Sequence, residues 1–196
     1  MIKTQHLRAI DYPRMPWKNG AGSTEEITRD AGTGLDGFGW RLSIADVGES
    51  GPFSMFDGYQ RIISVIEGAG MQLDVDGHQS PELTLFDALA FSGNSEVVCT
   101  LLEGPIRDFN LIYSPQRYRA RLQWLKAGQT GQLFSSADTL VVFSAEAGLR
   151  VAVDDREAIE LARHDCLKLD SPARLLSLHC SAPEGLDYCL IELSNV

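Results

Sequence analysis

A chain of 196 residues, 44% hydrophobic and 22% charged, holds enough apolar material for one large domain or two small ones and is too apolar for a disordered polymer. Its net charge of -10 excludes a general binder of phosphate backbones, because that interaction needs clustered Lys and Arg. No run approaches the ~20 apolar residues of a bilayer span, and Met1 to Ile10 lacks the apolar centre of a signal peptide, so a cytoplasmic protein with no membrane or nucleic-acid partner is expected.

In chain order, Thr4 to Ile10 reads as the first strand. It leads into Met15-Pro16-Trp17-Lys18-Asn19-Gly20-Ala21-Gly22-Ser23-Thr24, which has the composition of a ligand loop. Glycines allow close backbone approach, Trp17 offers a flat apolar wall, and Lys18 and Asn19 can pair with a carboxylate or an amide. The same residues would also suit a surface turn whose Trp caps the core.

Two strands follow, Thr24 to Thr28 and Trp40 to Val47. The run from Gly51 to Arg61 then ends in a cation at the mouth of the apolar strand Ile62-Ile63-Ser64-Val65-Ile66. A guanidinium there is either solvated in a surface ion pair or turned inward, where its planar fork suits a carboxylate better than Lys would. Short strands at 71–75, 83–86, 88–91 and 97–102 precede Glu103-Gly104-Pro105-Ile106-Arg107, a turn into the strand Asp108 to Tyr113. Asp108 and Asn110 are two apart and share one face of that strand, while Phe109, Leu111 and Tyr113 share the other. The polar face either lines a cavity or meets solvent. In a cavity, Asp108 can pair with Arg61 or Lys18 or act as an acid or base, and Asn110 can donate and accept hydrogen bonds.

A second series of strands covers 120–125, 131–134, 140–145, 149–153, 157–161, 165–169, 175–179 and 186–193. The chain aligns with itself at an offset of 78 residues: Gly70 falls on Gly148, Asp76 on Asp154, Asp87 on Asp165 and Leu89 on Leu167. Many short strands in two such copies predict an all-β protein of two tandem sandwich or barrel units, joined near Ser114-Pro115-Gln116. The units expected are 1–114, carrying the pocket, and 115–196, degenerate and mainly structural. Thr139 falls opposite Arg61, so the second copy lacks the charge.

The cysteines, Cys99, Cys166, Cys180 and Cys189, form no CxxC pair and read as reduced, buried thiols. His6, His78, His164 and His179 stand singly, without the H-x-H pair that metal-holding barrels of the cupin type use; a distal cluster of His164, Cys166 and His179 is the one alternative. No metal and no cofactor are expected, and no serine-hydrolase elbow or P-loop motif is present.

Several motifs together resemble the HutD/Ves family: Pro16-Trp17-Lys18-Asn19-Gly20-Ala21-Gly22-Ser23-Thr24, Glu26-Ile27, Trp40-Arg41-Leu42-Ser43-Ile44-Ala45, Gly51-Pro52-Phe53-Ser54, Gly58-Tyr59-Gln60-Arg61 and Gly104-Pro105-Ile106-Arg107-Asp108-Phe109-Asn110-Leu111. The resemblance covers the first two-thirds of the chain and implies a bicupin fold. It also implies a modulator of histidine utilisation rather than one of that pathway's enzymes, with the Ves branch tied to stress response. Residue by residue it points to Trp17, Lys18, Asn19, Arg61, Asp108 and Asn110 as ligand-binding, with Phe109 packing.

Two functions follow from one polar pocket, and a third uses the loops and leaves the pocket vestigial. The first is a binder of a small anionic carboxylate, such as urocanate or N-formylglutamate; the second is a metal-independent enzyme on the same carboxylate with Asp108 as its catalytic residue. The third is a protein-interaction module. Exposed sheet edges favour pairing into a homodimer.

Overall fold

The structure is a computed structural model that describes residues 2–17, 20, 22–34, 37–128, 131–154, 156–171, 174–182 and 185–196. Among the described residues it is all-β apart from one short 3-10 turn, Ala9–Asp11. No helix among the described residues is long and apolar enough to cross a membrane. Contacts divide the chain into Pro13–Tyr118 and a second unit made of Met1–Tyr12 with Arg119–Val196.

In the Pro13–Tyr118 unit a six-stranded antiparallel sheet runs in the order Arg14–Pro16, Gly22–Arg29, Trp40–Val47, Ile106–Tyr113, Gln60–Glu67, Ala88–Ser92. A four-stranded sheet, Gly51–Pro52, Val97–Leu101, Met71–Val75, His78–Gln79, faces it. The smaller sheet alternates as a half-wet sheet should: Val97 and Cys99 are buried while Val98 and Thr100 between them are exposed. Its buried side chains pack with Ala45, Val47, Ile63, Val65 and Ile106 of the larger sheet.

The other unit repeats the plan. Five strands run Lys3–Leu7, Cys166–Asp170, Thr139–Ser144, Leu186–Asn195, Tyr118–Ala127, and four run Gln132–Ser135, Leu176–Ser181, Leu149–Val153, Ile159–Leu161. Its central strands present Leu140, Val142, Tyr188 and Leu190 to an otherwise aliphatic core. All four cysteines of the chain are free and buried.

The duplication is written into the backbone. Left-handed residues recur 78 positions apart at Gly70 and Gly148 (φ 130° and 103°), Asp76 and Asp154 (52° and 51°), and Phe86 and His164 (67° and 64°). The last pair shares no side-chain chemistry, so its agreement marks a turn fixed by the fold. Each turn is held alike by the following aspartate, with Asp87 accepting from the Thr84 N–H at 2.9 Å and Asp165 from the Ala162 N–H at 3.2 Å.

Three expectations change. The first twelve residues do not belong with 13–114: Lys3–Leu7 pairs with Cys166–Asp170, and the division falls at Tyr118 instead of 114. Alternation tells a strand from a loop but does not name the sheet edge whose unpaired N–H and C=O groups it will satisfy. The run 83–86 is not a strand but two single bridges, Met71 with Leu83 and Val65 with Leu85, ahead of left-handed Phe86. Finally, the first strand stops at Leu7, where the chain turns into Ala9–Asp11.

Candidate functional site

The inner face of the six-stranded sheet follows from strand register, because directly paired residues point to the same side. On the central strand, Asp108 is flanked by Ala45 and Val65, Asn110 by Ser43 and Ile63, and Ile112 by Arg41 and Arg61. Since Ala45, Ile63 and Val65 are core residues, Asp108, Asn110, Arg41 and Arg61 face the same interior. The spacing that set Asp108 and Asn110 on one face thus puts them inside, 2% and 7% exposed, and their apolar neighbours Phe109 and Leu111 are buried on the opposite face.

Arg61 stands in the wall of this interior and not at a solvated mouth, with only 5% of its surface exposed. Its guanidinium lies over three rings, 5.0 Å from Phe91, 5.4 Å from Phe56 and 5.6 Å from Phe53. One of its groups donates to the Ser54 carbonyl at 3.1 Å, while Nε has no partner. Asp108 Oδ1 and Asn110 Oδ1 are likewise buried without a hydrogen bond. Burial pulls the Arg61 pKa from its ordinary value down to about 10, against the pull of the Asp108 charge. For Asp108, burial pushes the carboxyl up to about 7; Arg61 opposes that rise and Asp46 adds to it. A donor and two acceptors, all buried and unsatisfied on one sheet face, cost free energy and suit a polar guest.

Trp17 packs against the core at the other end of the same face. Its indole N–H donates to Thr24 Oγ1 at 2.8 Å, and its backbone N–H donates to the Gly22 carbonyl at 2.9 Å. Gly22 is required here: a Cβ would press on the Asp46 carbonyl and meet the Trp17 ring at 3.0 Å. Gly22→Ala is therefore expected to cost about 1–3 kcal/mol, as overpacking against fixed backbone does, and to alter tryptophan fluorescence. A melting curve with emission spectra checks this, and a melt identical to wild type refutes it. Lys18 and Asn19 lie outside the described residues, so Trp17, Arg61, Asp108 and Asn110 are the sequence candidates the structure locates.

Two acid–base clusters escaped the sequence reading. On the outer face, Arg107 pairs with Glu25, Asp46 and Glu67 (2.6, 2.8 and 3.4 Å), and Arg14 pairs with Glu25 and Asp46. An open depression of about 610 Å³ lies there, yet its charges already answer one another. The inner face holds the second cluster. A bulge at Ile27 lets Glu26 and Arg29, three residues apart, share a face, and Glu26 accepts from both Arg29 and Arg41 (2.6 and 2.8 Å). Burial alone would raise the Glu26 pKa; the two arginines outweigh it and hold the carboxyl below its ordinary value. A bulge leaves no mark in the alternation pattern, which is why this cluster is invisible in sequence.

Barrels of this type are associated with divalent metals, but the inward-facing set here does not fit one: guanidinium groups are not ligands and repel a cation. Among the described residues no group of three or more His, Cys, Asp or Glu could hold a metal, and His164 instead stacks on Phe143 at 5.4 Å.

Two tandem all-β units of facing antiparallel sheets, the first with a polar interior, define a bicupin. The chain belongs to the HutD family, whose model matches residues 9–187. It is 59% identical over 193 residues to an uncharacterised 21.2 kDa protein of the hutC 3' region in Pseudomonas putida, covering 98% of each chain. It is 32% identical over 184 residues to the protein Ves of Escherichia fergusonii, covering 87% of this chain and 92% of that one. The solved structure of HutD from Pseudomonas fluorescens SBW25, in a formate condition, is 55% identical and superposes with a TM-score of 0.88, covering 99% of this chain and all 100% of that one. The family is thereby tied to the histidine-utilisation locus.

Proposed function

We propose that the Pro13–Tyr118 unit binds a small carboxylate metabolite and thereby modulates histidine utilisation, with urocanate or N-formylglutamate as candidate ligands. The observation that carries this reading is the buried Arg61 guanidinium with an unpartnered Nε, on the same inner face as the unpartnered oxygens of Asp108 and Asn110. Arg61 would grip the carboxylate, the two oxygens would accept N–H groups, and Trp17 would close an apolar flank, with Lys18 and Asn19, next to it in sequence, as further donors. The apolar interior of the other unit supports a structural role for it. The ligand-bound protein would act in the cytoplasm through a partner of its own.

A second reading, a metal-independent enzyme on the same class of carboxylate, is favoured by one observation: an Asp108 carboxyl near 7 suits proton transfer at neutral pH. One experiment separates the two. Calorimetric titration with urocanate and with N-formylglutamate is expected to give saturable binding, and each compound recovered afterwards is expected to be unchanged. Conversion of either compound would favour the enzyme, and absence of heat with both would refute the pair as ligands.

A further inference from the structure

Three arginines stand at one level of the inner face, and the sheet register puts them there. Arg29 pairs with Arg41, Arg41 with Ile112, and Ile112 with Arg61. Each keeps a buried N–H group without a partner: Nη1 of Arg29, Nη2 of Arg41 and Nε of Arg61. The Arg41 side chain is 4% exposed and that of Arg29 is 13% exposed. Among the described residues Glu26 accepts from Arg29 and Arg41, while Arg61 feels the Asp108 charge and Arg29 that of Asp30 without a hydrogen bond to either. Arg29 lies over the Phe38 ring, which adjoins Phe56, and Phe56 in turn lies beneath Arg61. Buried donors in a protein interior are ordinarily hydrogen-bonded, so three guanidinium groups that each keep a free N–H suit acceptor groups brought in from outside.

We propose that Arg29 and Arg41, braced by Glu26, form a second anion subsite, and that the ligand of this unit is a dicarboxylate whose far end they bind. The proposal rests on the carboxylate-binding reading of Arg61. Arg41 and Arg61 spring from strands two apart in the sheet, so their backbones are roughly 10 Å apart. A gap of that order between the two cations suits a diacid of about four to six carbons, with one carboxylate at each end. Glu26 keeps the two guanidinium groups in place while leaving one N–H of each free, and so presents a prepared fork.

The test uses glutarate and butyrate, which differ by one carboxylate, titrated calorimetrically into the full chain. Wild type is expected to bind glutarate at least tenfold more tightly than butyrate. In Arg41→Gln that preference should vanish while butyrate affinity stays within threefold. Arg29→Gln, at a more exposed position, gives the same readout if Arg41→Gln does not fold. Equal affinity for the two acids, or a glutarate preference that survives in the folded variants, overturns the second subsite and leaves the Arg61 reading standing. If neither acid binds, the Arg61 reading falls and this proposal falls with it.

Discussion

Replacing Arg61 by Met is expected to abolish carboxylate binding and, at the same time, to raise the melting temperature of the ligand-free protein. A structural arginine would show the opposite pair of effects. Burial draws its pKa down to about 10, which means the charged form is held in the interior at a net free-energy cost. Replacing a buried ion by an apolar side chain of similar length commonly stabilises a protein by about 1–4 kcal/mol. The three phenylalanine rings around the guanidinium would remain in contact with a thioether, which packs well against aromatics, so little cavity is opened. The bond to the Ser54 carbonyl is lost, which trims the gain to about 1–2 kcal/mol. Binding should weaken about 100-fold or more, since a desolvated charge contact is removed. Differential scanning fluorimetry without ligand and calorimetry with it measure the two halves. A lower melting temperature combined with intact binding would show that Arg61 is part of the scaffold and holds no guest.

Asp108→Asn should alter the pH dependence of stability in a direction opposite to that of most aspartates. In the folded protein the carboxyl keeps its proton up to about 7, whereas in the unfolded chain it gives it up near the ordinary value of about 4. Between those limits the native state binds more protons than the unfolded state, so stability falls as pH rises through the window and levels off above about 7. Asparagine copies the neutral acid in shape and never ionises. The variant is therefore expected to be more stable than wild type by about 2–4 kcal/mol at pH 8, with the difference closing as the pH approaches 4. Urea unfolding midpoints of both proteins at pH 4, 6 and 8 test this, because the other carboxylates cancel in the comparison. Parallel curves would mean that Asp108 titrates as a solvated group. The Arg61→Met change should widen the window by removing the charge that opposes the rise in the Asp108 pKa.

These two predictions share a premise drawn from particular residues. The period-two spacing of Asp108 and Asn110 was legible in sequence, and so was the oddity of a charge leading an apolar strand at Arg61. Which side of the sheet they would face was not legible. Both faces of Ile106–Tyr113 are buried, so its polar and apolar sides cannot be told apart by the solvent rule that serves a half-wet strand such as Val97–Leu101. Arg41 and Glu26 were passed over for a related reason: neither stands out in a strand-like run, and only register and the bulge at Ile27 join them.

The same limit governs the domain plan. The offset of 78 residues announced the duplication because glycine and aspartate at left-handed turns are conformational requirements that side-chain identity records. It missed the crossing of the first twelve residues into the C-terminal unit, since sheet-edge pairing is made by backbone groups common to every sequence.

The amino-acid sequence by itself determined the all-β class, the twofold repeat, the turns that punctuate it and the residue types available to hold an anion. Alternation, glycine and aspartate act over a few neighbouring residues, and so they can be read from the chain. The tertiary structure alone decided which strands share an edge, which face of the central sheet became the interior, and that three arginines share one level of it. Those outcomes depend on pairing between segments far apart in sequence, as where Lys3 meets Asp170, and on burial that no local pattern encodes.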